Sequence, residues 1–157
     1  MLRELLNAFV IVSICVVIHA GGIVVFARFL TRRFAVEKFT TMGRQSLLLI
    51  LVFAMVISLH LIETGVWAMF YFWNNLFTDF ETALYFSLGT YSTIGYGDVV
   101  LPQRWRLLGG IEGISGVLLC GLSGAFIFAV VNALYQARLQ QRTESKPVKT
   151  NSFSGLT

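Results

Sequence analysis

The chain has 157 residues, of which 56% are hydrophobic and 13% charged, with a net charge of +4 at neutral pH. Soluble domains carry about a quarter charged residues, and a mean hydropathy of +0.74 excludes a water-soluble globule in favour of one lipid-embedded domain. The basic surplus implies no nucleic-acid partner, because its distribution along the chain serves membrane orientation. Cys15 and Cys120 stand in apolar runs, as small buried hydrophobes rather than disulfide halves or metal ligands.

In chain order, the runs 5–27, 47–73 and 107–134 each reach the roughly 20 apolar residues that cross a bilayer. The first offers Ala20-Gly21-Gly22 where a secretory signal could be cut. Its apolar stretch nevertheless continues through "IVVFARFL", beyond the roughly 15 residues of a signal core. It therefore reads as a retained helix over 1–30.

A basic linker follows over 31–46, with Arg32, Arg33, Lys38 and Arg44 after Arg28. The tail 137–157 holds Arg138, Arg142, Lys146 and Lys149. Both regions lie on one side of a three-span chain, the cytoplasmic side by the positive-inside rule. The N-terminus and 74–106 are then outside, and Trp73 and Trp105 mark the outer ends of the second and third spans. The tail is polar, contains Pro147, and reads as disordered.

Between these two spans lies "TDFETALYFSLGT". Thr78 and Glu81 make a capping box, and Asp79 places negative charge at the positive helix end. The helix expected over 79–90 reaches about 16 Å, roughly halfway through the hydrocarbon. A helix that enters and stops must hand over to irregular backbone, which survives at membrane depth only inside protein or against water. The stretch T-I-G-Y-G-D at 93–98 supplies that backbone. Gly95 and Gly97 bracket Tyr96 and permit positive φ at alternate positions. Such alternation can turn successive carbonyls the same way, and a row of carbonyl oxygens suits a hard, weakly hydrated cation.

T-I-G-Y-G-D after a short capped helix, with a span on each side, resembles the pore module of potassium channels. The resemblance covers roughly 47–136, with an outer helix over 47–73, a pore helix over 79–90, a filter over 93–98 and an inner helix over 106–136. It implies an all-α membrane protein: three transmembrane helices, a re-entrant pore helix and a filter loop, assembled as a homotetramer. Carbonyls of Thr93, Ile94, Gly95 and Tyr96 would hold potassium, with the Thr93 hydroxyl adding an inner site and Gly97 completing the run. Tyr96 would turn from the axis and pack on Tyr85 and Phe86, while Asp98 would be hydrogen-bonded behind the filter. Gly89 stands where an acid can stand in the family, and Tyr85 and Phe86 replace a tryptophan pair. The resemblance implies no cofactor beyond the permeant ion, and a multi-pass protein of a cell membrane of the bacterial inner-membrane kind. Homotetramer and lipid are the expected partners; no soluble partner can be inferred. The alternative is a non-conducting or weakly conducting channel-like membrane subunit or pH sensor that keeps the fold.

In the third span, Gly121, Ala125, Ala129 and Ala133 recur every four residues. Spacing alone fits close helix packing as well as a pore lining; the resemblance implies the lining. Gly113, Gly116, Gly121 and Gly124 are candidate bending points, and Phe126 or Phe128 a candidate hydrophobic gate. The first span, with Asn7 and His19, lacks the patterned arginines of a voltage sensor and is expected at the periphery. His60 and Glu63 share a helix face, and Glu63 and Glu112 lie at roughly 15 and 10 Å depth by helical rise. Ionisable groups so deep face the protein interior in pairs, so His60, Glu63 and Glu112 are expected to form one buried cluster. It could be static glue or a proton-sensitive link. No enzyme is expected: "GISG" around Ser115 and "GLSG" around Ser123 lack G-x-S-x-G, and "HLIE" at His60 is not H-E-x-x-H.

Overall fold

A computed structural model describes residues 2–33 and 42–144. Lys38, Lys146, Lys149 and Pro147, and the expected disorder beyond 144, lie outside the described residues. Among the described residues the elements in order are α1 Leu2–Arg33, α2 Met42–Trp73, α3 Phe80–Tyr91, a 3-10 turn at Gln103–Trp105 and α4 Arg106–Glu144. α1, α2 and α4 are each long and apolar enough to cross a membrane.

α1 buries Glu4, Ala8, Ile11, Cys15 and His19, a stripe at three- and four-residue spacing that turns one helix face inward. Its other face leaves Phe9, Val17 and Val25 exposed. The helix packs against α2 and α4, and Ala8, Ile11 and Cys15 belong to the same core as Trp67, Tyr71, Ala83 and Leu108. α1 therefore docks on the other helices through one buried stripe and leaves its opposite face uncovered.

α2 begins before its apolar run and ends in a well-defined stop. Asn75 adopts φ 53°, its N–H donates to Phe72 O at 3.0 Å, and the Leu76 N–H donates to Tyr71 O at 3.1 Å. These two bonds are a Schellman motif, with asparagine taking the left-handed position usually given to glycine. The chain reverses there, and Phe80 at the start of α3 meets Phe72 edge-on, ring centres 6.2 Å apart.

α3 starts one residue later than the capping-box reading suggests. Asp79 is the N-cap, its Oδ1 accepting from Thr82 N at 2.7 Å and its Oδ2 from the hydroxyls of Thr78 and Thr82 at 2.9 Å. A carboxylate at the positive end of a helix forms a stronger cap than a hydroxyl. The Thr82 backbone N–H, with the two hydroxyls, holds the Asp79 carboxyl below its ordinary value. The 12 residues of α3 span about 18 Å and bury Ala83, Ser87 and Tyr91, one per turn.

α4 runs to Glu144, beyond the 136 expected for the inner helix. Gln136 to Arg142 are good helix formers whatever their polarity, and Arg142 in the last turn favours the negative helix end. Near its start, α4 presses two glycines onto α3. A Cβ at Gly113 would lie 3.3 Å from Thr90 O, and one at Gly116 would collide with Tyr91 O. Both act as close-packing positions, whereas Gly121 and Gly124 have nothing within 4 Å. Glu4 pairs with Arg104 at 2.8 Å, which puts the start of α1 at the end of the molecule where α3 begins.

Candidate functional site

Tyr91 closes α3 with its hydroxyl bonded to Glu63. That bond fixes the end of α3 about 15 Å along α2 from Trp73. From there the chain turns back: Ser92 N–H donates to Leu88 O at 3.1 Å, Thr93 N–H to Thr90 O and Gly95 N–H to Gly89 O, both at 3.0 Å. Thr93, Gly95 and Gly97 take φ of 61°, 52° and 78°. The glycines adopt this region freely. For β-branched Thr93 it costs on the order of 1–3 kcal/mol and needs a structure that holds it there. Left-handed residues thus alternate with Ile94 and Tyr96 along the stretch.

Aromatic groups brace it from one side. The Tyr96 and Tyr85 rings stack, centres 6.3 Å apart and 11° from parallel. The Tyr85 hydroxyl donates to Asp98 Oδ2 at 2.7 Å. Phe86 packs edge-on against Tyr71, 5.5 Å away, and at a tilt of 42° against Phe77, 5.2 Å away. A cavity of about 240 Å³ lies between α3 and the stretch, lined by Tyr85, Gly89, Thr90, Gly95 and Asp98. Gly89 leaves that space open. On the other side, Thr93, Gly113, Ile114, Val117 and Leu118 line an open concavity of about 480 Å³. Gly121, Ala125, Ala129 and Ala133 continue down α4, all exposed in the single chain. Phe128 is exposed and Phe126 half-buried.

The Tyr85 hydroxyl is the first cause holding Asp98 below the ordinary aspartate value of 3.8, with the Val99 N–H assisting. A depressed value means that the link is present above the ordinary range and lost as pH falls through the depressed one. Asp98 should therefore stay ionised from about pH 5 to 8. Tyr85→Phe should raise its titration toward 3.8, read by carboxyl NMR. An unchanged Asp98 titration in Tyr85→Phe would mean that this hydroxyl does not hold it.

The buried ionisable groups divide into two sets. Glu112 is fully buried and accepts from Tyr71 OH at 2.7 Å and from Ser87 Oγ. His60 and Glu63 meet elsewhere, at 3.3 Å. His60, Glu63 and Glu112 are thus not one cluster. Around Glu63 the groups form a closed ring: Glu63 Oε1 to His19 Nδ1 at 2.7 Å, His19 Nε2 to Ser123 Oγ at 3.0 Å, Ser123 Oγ to His60 Nε2 at 3.1 Å, His60 Nδ1 to Tyr91 OH at 3.1 Å, and Tyr91 OH donating to Glu63 Oε2. All four helices contribute to it. Ser87 and Tyr91 are hydroxyls of the expected pore helix, of the kind expected to bond Glu63 or Glu112, whereas His19, Ser123 and Tyr71 were not singled out as partners from sequence. The four-residue spacing of Ser87 and Tyr91, and the stripe through Cys15 and His19, were the available signals. Ser123, His19 and Glu63 are connected like a hydrolytic triad, but Ser123 is buried within a continuous helix. The helix engages the neighbouring backbone N–H groups, which leaves none to stabilise an oxyanion.

Three helices long and apolar enough to span a membrane, with a short capped helix and a left-handed stretch folded between the second and third, are the frame of a helical membrane protein. A family model described as "Ion channel" matches residues 46–134, more than half of the chain. The chain belongs to that family, the potassium-channel pore module. Neither the curated proteins nor the solved structures gave a match.

Proposed function

We propose that the protein is a potassium-selective channel in which four copies bring 93–97 around a common axis and conduct passively. The observation that carries this reading is the alternation of left-handed backbone at Thr93, Gly95 and Gly97. That conformation can turn carbonyls of consecutive residues toward one line, where they replace the hydration shell of a potassium ion. Thr93, Ile94, Gly95 and Tyr96 would supply those oxygens. Tyr85 and Asp98 would hold the width of the ring from behind.

The need for other copies has a physical reason. Residues 92–98 are exposed in the single chain, and irregular backbone at membrane depth requires protein or water around it. Closed symmetry is the usual solution for identical chains. The open concavity beside Ile114 and Val117, followed by Gly121, Ala125, Ala129 and Ala133, would form the water-filled inner cavity. The basic ends of α1 and α4 would lie in the cytoplasm, with the N-terminus and the Asp98 mouth outside.

Purified protein in liposomes should pass potassium with a reversal potential that follows the potassium gradient and ignores sodium. Native mass spectrometry should give four chains, and a cysteine at position 2 (Leu2→Cys) should react with impermeant reagents from outside. A reversal potential that follows sodium would overturn the selectivity. Tetramers without any flux would favour a non-conducting subunit; dimers or trimers would remove the four-walled filter.

A further inference from the structure

Two imidazoles and a carboxylate converge inside the first three helices without any role in the proposed conduction path. We infer that His19, His60 and Glu63 bind one divalent transition-metal ion of the zinc class per chain, with the Tyr91 oxygen as fourth ligand. The ligand atoms of the three residues all lie within 4.8 Å of one another. Glu63 and His19 are fully buried and His60 is 18% exposed.

Zinc takes histidine nitrogen at about 2.0–2.1 Å and carboxylate oxygen at about 2.0–2.2 Å in a tetrahedral shell. Ligand atoms on such a shell sit about 3.3–3.5 Å apart. His60 Nδ1 is 3.3 Å from Glu63 Oε2 and His19 Nδ1 is 2.7 Å from Glu63 Oε1. Small side-chain rotations therefore convert the hydrogen-bonded set into a coordination shell. The Tyr91 hydroxyl already touches both Glu63 and His60 Nδ1. Side chains on facing helices, with a histidine and a glutamate three residues apart on one of them, are a common way to build metal sites in helix bundles.

The orientation of the rings carries the argument further than proximity. Both histidines turn Nδ1 toward the carboxylate, and both turn Nε2 to one oxygen, Ser123 Oγ, at 3.0 and 3.1 Å. With a metal on the two Nδ1 atoms, both Nε2 atoms carry hydrogen, and one hydroxyl oxygen can accept both. Ligating histidines almost always have such an outer partner. A dry site must also limit net charge: Glu63 neutralises one positive charge of the ion, and Tyr91 bound as phenolate neutralises the second. Imidazole selects against potassium, calcium and magnesium, which prefer oxygen cages. The bound ion is thus chemically distinct from the permeant one. It would tie α1 and α2 to the residue that ends α3, two positions before Thr93.

The test uses the full chain, purified through a histidine-free tag, stripped with chelator and kept as its native oligomer in detergent. Cobalt(II), a coloured stand-in for zinc, should give the intense visible absorption of four-coordinate cobalt, saturating at one ion per chain and abolished by added zinc. Glu63→Gln, His19→Asn and His60→Asn should each weaken binding at least tenfold. Ser123→Ala, which leaves every ligand in place, should weaken it about 10- to 100-fold. The absence of a saturable cobalt spectrum in the unaltered chain would overturn the site, as would unchanged affinity in Ser123→Ala. These readings need no ligand-site variant to assemble. They are also independent of flux, so failure of the potassium reading would leave the metal result standing.

Discussion

Replacing Gly116 with alanine should unseat α3 from α4 and lower the stability of the folded chain by about 3 kcal/mol or more, the upper end of overpacking costs. The added Cβ would collide with the carbonyl oxygen of Tyr91 and come within 3.1 Å of its carbonyl carbon and Cδ1. Contacts of that kind are relieved only when the obstacle can move. Here the obstacle is the last turn of a helix, and its residue is fixed at the other end by bonds to Glu63 and His60. The new methyl group therefore meets backbone rather than a side chain free to swing away. A 3 kcal/mol loss is about a hundredfold in the folding equilibrium. It should appear as a lower melting temperature of the detergent-solubilised protein together with lost flux. Gly21→Ala is the control: nothing lies within 4 Å of its Cβ, and alanine is the better helix former by about 1 kcal/mol. Equal melting of Gly116→Ala and the unaltered chain would show that the two helices do not pack this closely.

Gly97→Ala should do the opposite, leaving a folded protein that no longer distinguishes potassium from sodium. Gly97 has φ of 78°, and an L-residue with a Cβ pays roughly 1–2 kcal/mol there. In the proposed tetramer four copies of that strain meet at one axis, about 4–8 kcal/mol in all. Within the chain itself nothing lies within 4 Å of a Cβ at this position, so there the penalty is conformational rather than steric. The stretch can relieve it only by leaving the left-handed region, which would rotate the adjoining peptide and misdirect its carbonyl. Because Gly97 is exposed and outside the buried core, the melting temperature should shift little. Reversal potentials measured with opposed potassium and sodium gradients decide the matter. Full selectivity in Gly97→Ala would mean that the backbone here does not form the filter.

The membrane helices were legible because a bilayer imposes length and apolarity on any span, and hydropathy reports both. Their ends were less so. Hydropathy places the end of α4 where polar residues begin, yet Gln140 and Arg142 stay helical because the helix bonds to itself. The grouping of the buried charges failed for a geometric reason. Counting inward from Trp73 and Trp105 gives the height of Glu63 and Glu112, but says nothing about their position around the bundle. His60 could be placed beside Glu63 because the two share a helix. Only packing against α3 could show that Ser87 and Tyr71 bond Glu112, while Tyr91 bonds Glu63. The left-handed backbone was expected at Gly95 and Gly97 from their chemistry. At Thr93 it contradicts the residue's own preference, so local sequence could not announce it.

The family match begins at residue 46, but the hydrogen-bonded ring does not. His19 lies 0% exposed on α1 and bonds both Glu63 and Ser123. Cutting the chain at the start of the matched module would strip one hydrogen-bond partner from a buried carboxylate, and a buried polar group left short of a partner costs about 1–3 kcal/mol. It would also uncover Cys15, Ile11 and Ala8 from the core they share with Trp67 and Tyr71. The buried core of this protein therefore extends beyond the module that gives it its family. A shortened pore, or a chimera joined at residue 46, should therefore melt at a lower temperature than the full chain.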